Sequence, residues 1–471
     1  MTAPYPRLAL DKALAQADAN LGQSLERFYD LLRIKSISTE PAYRDDCRRA
    51  AQWLSDELIA LGFDASVRPT PGQPMVLGHD RSAGGAHVLF YGHYDVQPVD
   101  PLHEWATDPF EPTLMPAANG ETHIVARGAS DDKGQLLTFV EACRAWKEAN
   151  GNLPLSVSIL LEGEEEAGSK SLGPFLDETA SELKADVVLV CDTDMWDDVT
   201  PAVTFMMRGL CGLEVEISAA SRDLHSGVYG GAARNPLQVL TTILASLRDD
   251  EGRILLDGFY DGVEELSPDV IAQWDRLAFD GDAFLNKVGL STPAGESGRG
   301  VLEQIWARPT FEINGITGGY AGEGFKTVIP AKASAKVSFR LVGQQDPKAV
   351  CAAFKAHVEA RLPADCSATV TIHSASSATH VRTGTPHLAK TLRALSEEWE
   401  TDAALSGNGG SIPVINEFRD RLGMDALLVG FARFDNRVHS PNEKYDMSSF
   451  TKGIRSWLRI LDKLADGHSG A

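Results

Sequence analysis

Four apolar runs of strand length limit what this 471-residue chain can fold into: "HVLFY" (87–91), "LSVSILLE" (155–162), "ADVVLVCD" (185–192) and "DALLVGF" (425–431). Between the first two lies "DDKGQLLTFVEACRAWKEANG", an amphipathic helix with Asp131 and Asp132 at its N-terminal end and Gly151 beyond it. Earlier, "LGQSLERFYDLLRI" places Leu21, Leu25, Phe28, Leu31 and Leu32 on one helical face, and "CRRAAQWLSDELIALGF" repeats the pattern until Gly62. Strands spaced by helices of this length predict an α/β domain with a mostly parallel central sheet flanked by helices.

The segment 209–383 has another rhythm. "GLEVEISAA" and "AKVSFRLV" alternate apolar and polar residues, as half-exposed strands do. "DPKAVCAAFKAHVEARL" spaces Val350, Phe354, Val358 and Leu362 helically, and "SATVTIHSA" follows as a further strand. This predicts a smaller α+β domain with one open sheet face, inserted into the larger one. The expected division is 1–208 and 384–471 for the large domain and 209–383 for the insertion.

Charge narrows the partners. Lys plus Arg number 44 against 66 Asp plus Glu, a net charge of −22, whereas nucleic-acid binding needs a concentrated basic surface. No apolar stretch approaches the roughly 18–20 residues that span a bilayer. The start "MTAPYPRLALDKALAQADAN" lacks the basic, apolar and cleavage segments of an export signal, so a cytoplasmic location is expected. The six cysteines are scattered without a C-x-x-C pair, which fits reduced thiols.

In an open α/β sheet, ligands bind in the crevice beyond the carboxyl ends of the strands. "HVLFYGHYD" ends in His93 and Asp95, and "SILLEGEEEAGS" runs into Glu162, Glu164, Glu165 and Glu166. "DVVLVCDTD" ends in Asp192 and Asp194, and His439 follows the fourth run in "DNRVHSPNEKY". Asp131 and Asp132, in "ARGASDDKG", stand where a loop enters the helix. Singly, each has an ordinary explanation: a polar strand end, a solvated acidic turn, an aspartate pair capping a helix. Together they are a donor set for divalent metal, since imidazole with carboxylate suits zinc while all-oxygen sites suit calcium or magnesium. They suffice for two ions roughly 3.5–4 Å apart that share one carboxylate. Asp95 is placed to hydrogen-bond the other nitrogen of His93.

The stretches "GHYDVQPVDP", "RGASDDKG", "EGEEEAGS", "RDLHSGVYGG" and "HSPNEK" together resemble the carnosinase-like branch of the di-zinc aminoacylase and carboxypeptidase superfamily, the cytosolic non-specific dipeptidases. "GEGFKTVIP", "VSFRLV" and "GGSIPV" extend the likeness into the substrate pocket. The resemblance implies His93 and Asp192 as ligands of one metal, Glu166 and His439 of the other, and Asp131 bridging both. Asp132 would follow Asp131 through a peptide bond that is cis in relatives. Glu165 matches the general base, and Asp95 its catalytic neighbour. A one-residue shift to Glu164 and Glu165 competes with this alignment, as Asp194 competes with Asp192. The implied cofactors are two divalent ions, zinc first, with manganese or cobalt also suitable.

The resemblance further implies that the insertion is a ferredoxin-like lid and dimerisation domain. In the implied homodimer His225, in "SRDLHSG", reaches the partner's active site. Substrate contacts carry over to His225, Thr327, Arg340 and Ser411. Without the family, His225 reads as an exposed loop histidine and Arg340 as a solvent-facing strand arginine.

The implied reaction is metal-dependent hydrolysis of the amide bond of a dipeptide or small peptide, with Glu165 as base and Arg340 clamping the C-terminal carboxylate. An N-acyl-amino-acid amidohydrolase, such as a deacetylase or carbamoylase, would use the same site. A non-catalytic peptide-binding homologue is the rival from another class; the presence of all five ligands and the base weighs against it. One departure stands out: relatives often show Arg-Glu before "GGSIP", where this chain has Gly407 and Asn408. That bears on which substrate end groups are preferred. The glycine-rich "INGITGGYAGEGF" matches neither a phosphate loop nor a dinucleotide fingerprint, and the chain has no G-x-S-x-G elbow.

Overall fold

The computed structural model describes residues 7–117, 120–410 and 414–466. They divide into two compact units, one of residues 7–205, 381–406 and 414–466, the other of 206–380 and 407–410.

At the centre of the first unit, strands Ser156–Glu162, His87–His93, Val187–Val190 and Ala426–Leu428 lie side by side in that order, all parallel. Antiparallel strands close both flanks: Met75–Asp80 then Asp64–Arg68 on one side, Ala202–Met207 on the other. Every residue of Ser156–Glu162 and Val187–Val190 is buried, which is why these stretches, the terminal Glu162 apart, are continuously apolar or small rather than alternating. On one face Phe90 stacks on Phe139 of helix Lys133–Asn150 at 3.9 Å, and Trp457 of helix Met447–Ala465 meets both rings edge-on. Truncating such a ring to alanine costs about 3–5 kcal/mol. On the other face Tyr91 meets Phe418 of helix Val414–Leu422 at 5.4 Å. Helix Lys133–Asn150 stops at Gly151, whose φ of 88° a side chain would resist. Because the four central strands share one direction, their carboxyl ends open onto a single edge.

The second unit is a four-stranded antiparallel sheet in the order Thr310–Gly318, Lys332–Leu341, Gly209–Ser218, Ser367–Ser376. Burial alternates residue by residue along Gly209–Ser218. Cys211, Leu213, Val215 and Ile217 pack beneath helices Pro236–Ala245 and Pro347–Glu359. The opposite face carries pairs such as Lys332–Glu216 at 2.6 Å. Among the described residues no helix is long and apolar enough to cross a membrane.

Candidate metal centre

His93 closes its strand with a fully buried side chain. Its Nε2 lies 3.0 Å from Asp131 Oδ1 and 4.0 Å from Asp192 Oδ2. His439 Nε2 lies 2.9 Å from Asp131 Oδ2 and 3.3 Å from Glu166 Oε2. Two triads result, His93–Asp131–Asp192 and Asp131–Glu166–His439, with ligand atoms in each within 4.8 Å of one another. Asp131 belongs to both and turns one oxygen toward each imidazole.

The frame of the acidic run follows from its 3-10 turn, Glu165–Ala167. Glu164 precedes the turn, and its carboxylate accepts the Ser171 N–H at 3.2 Å while lying over Gly72. Glu166 stands in the triad instead. Asp194 is exposed and stands outside both triads. Asp132 does not cap the helix it precedes; its carboxylate accepts the His93 N–H at 3.1 Å, and the Asp131–Asp132 peptide is cis.

Asp95 holds three neighbours at once. Its two oxygens accept the N–H groups of Glu165 and Glu166 at 3.2 and 3.1 Å, and Ser38 Oγ donates to it at 2.6 Å. His93 Nδ1 lies 3.4 Å from Asp95 Oδ1 and 3.1 Å from its carbonyl, so a proton on Nδ1 leaves Nε2 to face the acids.

Four positioning residues escape a reading of the sequence: Ser38, Gln97, Gly430 and Glu443. Gln97 donates to Glu166 Oε2 at 2.6 Å. Buried Glu443 accepts from Arg127 and the Gly128 N–H on one oxygen, and from the Ser130 and Asp131 N–H groups on the other, at 2.9–3.0 Å. Gly430 presses on the backbone beside Asp192: a Cβ there would sit 1.6 Å from the Thr193 carbonyl oxygen. The one available signal was that Gln97 and Glu443 lie inside the quoted motifs. Arg437, His439 and Asn442 adopt left-handed φ values of 56°, 61° and 62°, a conformation costing non-glycine residues about 1–3 kcal/mol each.

The charges are unbalanced. Burial, then the Asp131 charge, pushes Asp192 well above the usual carboxylate range. Burial also pushes Glu165 up to about 7, with His93 opposing. Asp131 goes the other way: despite burial, the His439 and His93 rings hold it down. His93, for its part, is drawn well up by Asp131 and Asp95 against the cost of burial. Its buried Nε2 finds no hydrogen bond of good geometry. Imidazole nitrogens and crowded carboxylates with an unsatisfied donor atom at their centre fit a pair of divalent cations.

The remaining candidates belong to the second unit. His225 is exposed, its Nδ1 accepting the Gly227 N–H at 3.0 Å. It pairs in a short strand with Val328, and the neighbouring Ser226 N–H bonds the Thr327 carbonyl at 3.1 Å. Arg340 is half-buried on the open sheet face, opposite Leu210. Arg208, two residues before Leu210, is lowered to about 10 by burial and by the Arg340 charge. At the departure noted in the sequence, Trp306 fills the space a side chain at Gly407 would need, 2.7 Å from its Cβ position. Asn408 Oδ1 is taken by the Gly410 N–H at 2.7 Å. Ser411 lies outside the described residues.

Residues 89–463 match peptidase family M20/M25/M40. Over 98% of this chain and 99% of the relative, the sequence is 30% identical to Cys-Gly metallodipeptidase dug1 of Schizosaccharomyces pombe. It is 28% identical to the Beta-Ala-His dipeptidase of Homo sapiens, covering 99% of this chain and 94% of that one. Among solved structures, the M20 family metallo-carboxypeptidase Sso-CP2 of Sulfolobus solfataricus superposes with a TM-score of 0.80 at 28% identity, over 94% and 99% of the two chains.

Proposed function

Because the chain belongs to peptidase family M20/M25/M40, we propose that it is a metal-dependent dipeptidase whose substrates carry a free C-terminal carboxylate. The observation that carries this reading is Asp131, with one oxygen 3.0 Å from His93 and the other 2.9 Å from His439. Two divalent cations held by His93, Asp131, Asp192, Glu166 and His439, zinc foremost, would supply Lewis acidity to the amide carbonyl and to a water.

The protein's own groups do the rest. Glu165, whose backbone N–H is held by Asp95 beside the ligand Glu166, takes the attacking water's proton and returns it to the departing amine. Asp95 anchors the Glu165 backbone and orients His93. Arg340 receives the substrate carboxylate in its planar fork, and Thr327 and Ser411 are the further substrate contacts that the family likeness supports. The second unit serves as lid and dimerisation domain, and His225 of one subunit donates to the oxyanion forming in the other. Six free thiols fit a cytoplasmic setting.

A second reading, an N-acyl-amino-acid amidohydrolase, is favoured by Gly407 and Asn408, which carry no charge where relatives often have Arg-Glu. Assays of dipeptides against N-acetyl and N-carbamoyl amino acids, with zinc, manganese and cobalt and with Glu165→Gln as blank, separate these. Cleavage of dipeptides that vanishes in the blank supports the dipeptidase. Dipeptide binding without cleavage under every metal would mean a non-catalytic binder.

A further inference from the structure

Glu443 is the most heavily engaged carboxylate near the metal centre, yet none of its atoms belongs to either triad. All its partners lie in one loop: Arg127 at 2.9 Å, then the N–H groups of Gly128, Ser130 and Asp131. Arg127 is itself buried, bonded to the Pro98 carbonyl and lying 5.2 Å over the Trp105 ring. A carboxylate offers about four acceptor positions, and here each is used. The Glu443 side chain therefore has no slack to take up.

The same segment carries His439. Glu443 accepts the Ala126 N–H through its own carbonyl at 3.1 Å, and the adjoining strand Lys444–Asp446 pairs with Thr122–Val125. A second stitch lies nearby, where Asn436 accepts from Ser130 Oγ at 3.2 Å and donates to Asp446 at 2.8 Å. Loop 127–131 and segment 436–446 are thus one hydrogen-bonded body, which presents both Asp131 and His439. Glu166 comes from elsewhere, tied to Asp95 and Gln97.

We propose that Glu443 is a positioning residue for the Asp131–Glu166–His439 cation, setting the spacing of its two ligands from this body. The proposal rests on the two-cation reading above. It predicts asymmetry. The Asp131–Glu166–His439 position takes two of its three ligands from the stitched body, whereas the His93–Asp131–Asp192 position takes one. Glu443→Gln turns one oxygen into an NH2 group that faces N–H donors, and Glu443→Asp keeps the charge but withdraws it by one methylene.

The test is calorimetric titration of zinc into chelator-stripped full-length protein, wild type and both variants, with circular dichroism to verify the fold. Loss of a partner that orients metal ligands costs about 10- to 100-fold in affinity. That loss is expected for one of the two ions, with less than about fivefold for the other. Glu443→Asp carries the test if Glu443→Gln does not fold. Two ions bound by a folded variant with both affinities within about twofold of wild type, or equally weakened, would overturn the assignment. Wild-type protein that binds fewer than two ions would instead defeat the two-cation reading.

Discussion

In the first unit the side chains of His93, Asp131, Asp192 and Glu166 are at most 18% exposed, His439 being the open one at 54%, and neighbouring carboxylates hold the backbone N–H groups of His93, Asp131 and Glu166. In the second unit His225 is exposed, and its ring accepts only the N–H of its own turn among the bonds described. One region is assembled before any ligand arrives. The other presents groups whose partners, on the function proposed above, would come with substrate or with a second subunit. The two should therefore fail differently on mutation: the first within one subunit, through rate at little change in affinity, the second through substrate affinity or through a step that a partner subunit completes.

The largest effect tests the first half of that contrast. Glu165→Gln should lower kcat about 10²–10⁴-fold while KM and zinc stoichiometry stay at wild-type values; a matching rise in KM would blur the contrast. His225→Ala should lower kcat by about 10²–10³-fold, the usual cost of an oxyanion donor. Mixing the His225→Ala and Glu165→Gln proteins should restore activity, because heterodimers then contain one intact composite site. Verified heterodimers that stay inactive would return His225 to the role of an exposed loop residue. Arg340→Met should reduce kcat/KM by roughly 10- to 100-fold, a charged hydrogen bond being worth about 1.5–3 kcal/mol. The loss should fall mostly in KM, and should be much smaller for substrates amidated at the C-terminus.

The smallest effect lies far from both regions. His79 and His87 both bond Ser158 Oγ at 2.8 Å, and burial holds both imidazoles below their ordinary value. A depressed folded-state value means the unfolded chain binds the proton more readily. Their contribution is therefore complete above about pH 6.5 and shrinks as the pH falls below it. The melting-temperature advantage of wild type over His79→Gln should narrow between pH 7.5 and 5.5. An advantage that widens would reverse the sign.

The sequence was most informative where a residue's job depends on its own strand. The four apolar runs are the four parallel strands, and their ends carry His93, Glu162 and, just beyond, Asp192. The strict alternation of Gly209–Ser218 likewise announced a sheet covered on one face. It was least informative where a job depends on a partner far along the chain. Glu443 reads as an ordinary loop acid, since its donors lie 312–316 residues earlier. The choice between the pairs Glu165–Glu166 and Glu164–Glu165 hinged on one 3-10 turn, which a run of like residues cannot position. The antiparallel flanks of the sheet were also hidden, because Met75–Asp80 and Ala202–Met207 are nearly as buried as the central strands.

Gly430 carries a lesson for judging other chains of this kind. A methyl group at that site has to displace main-chain atoms of Thr193, the nearest 1.6 Å away, and Asp192 is covalently next in line. A protein that keeps every histidine and acid of the signature but bears alanine or larger there would pass a motif search and still be inert. Screening for such silent members should therefore weigh an unremarkable glycine just past strand Ala426–Leu428 as heavily as the ligands themselves.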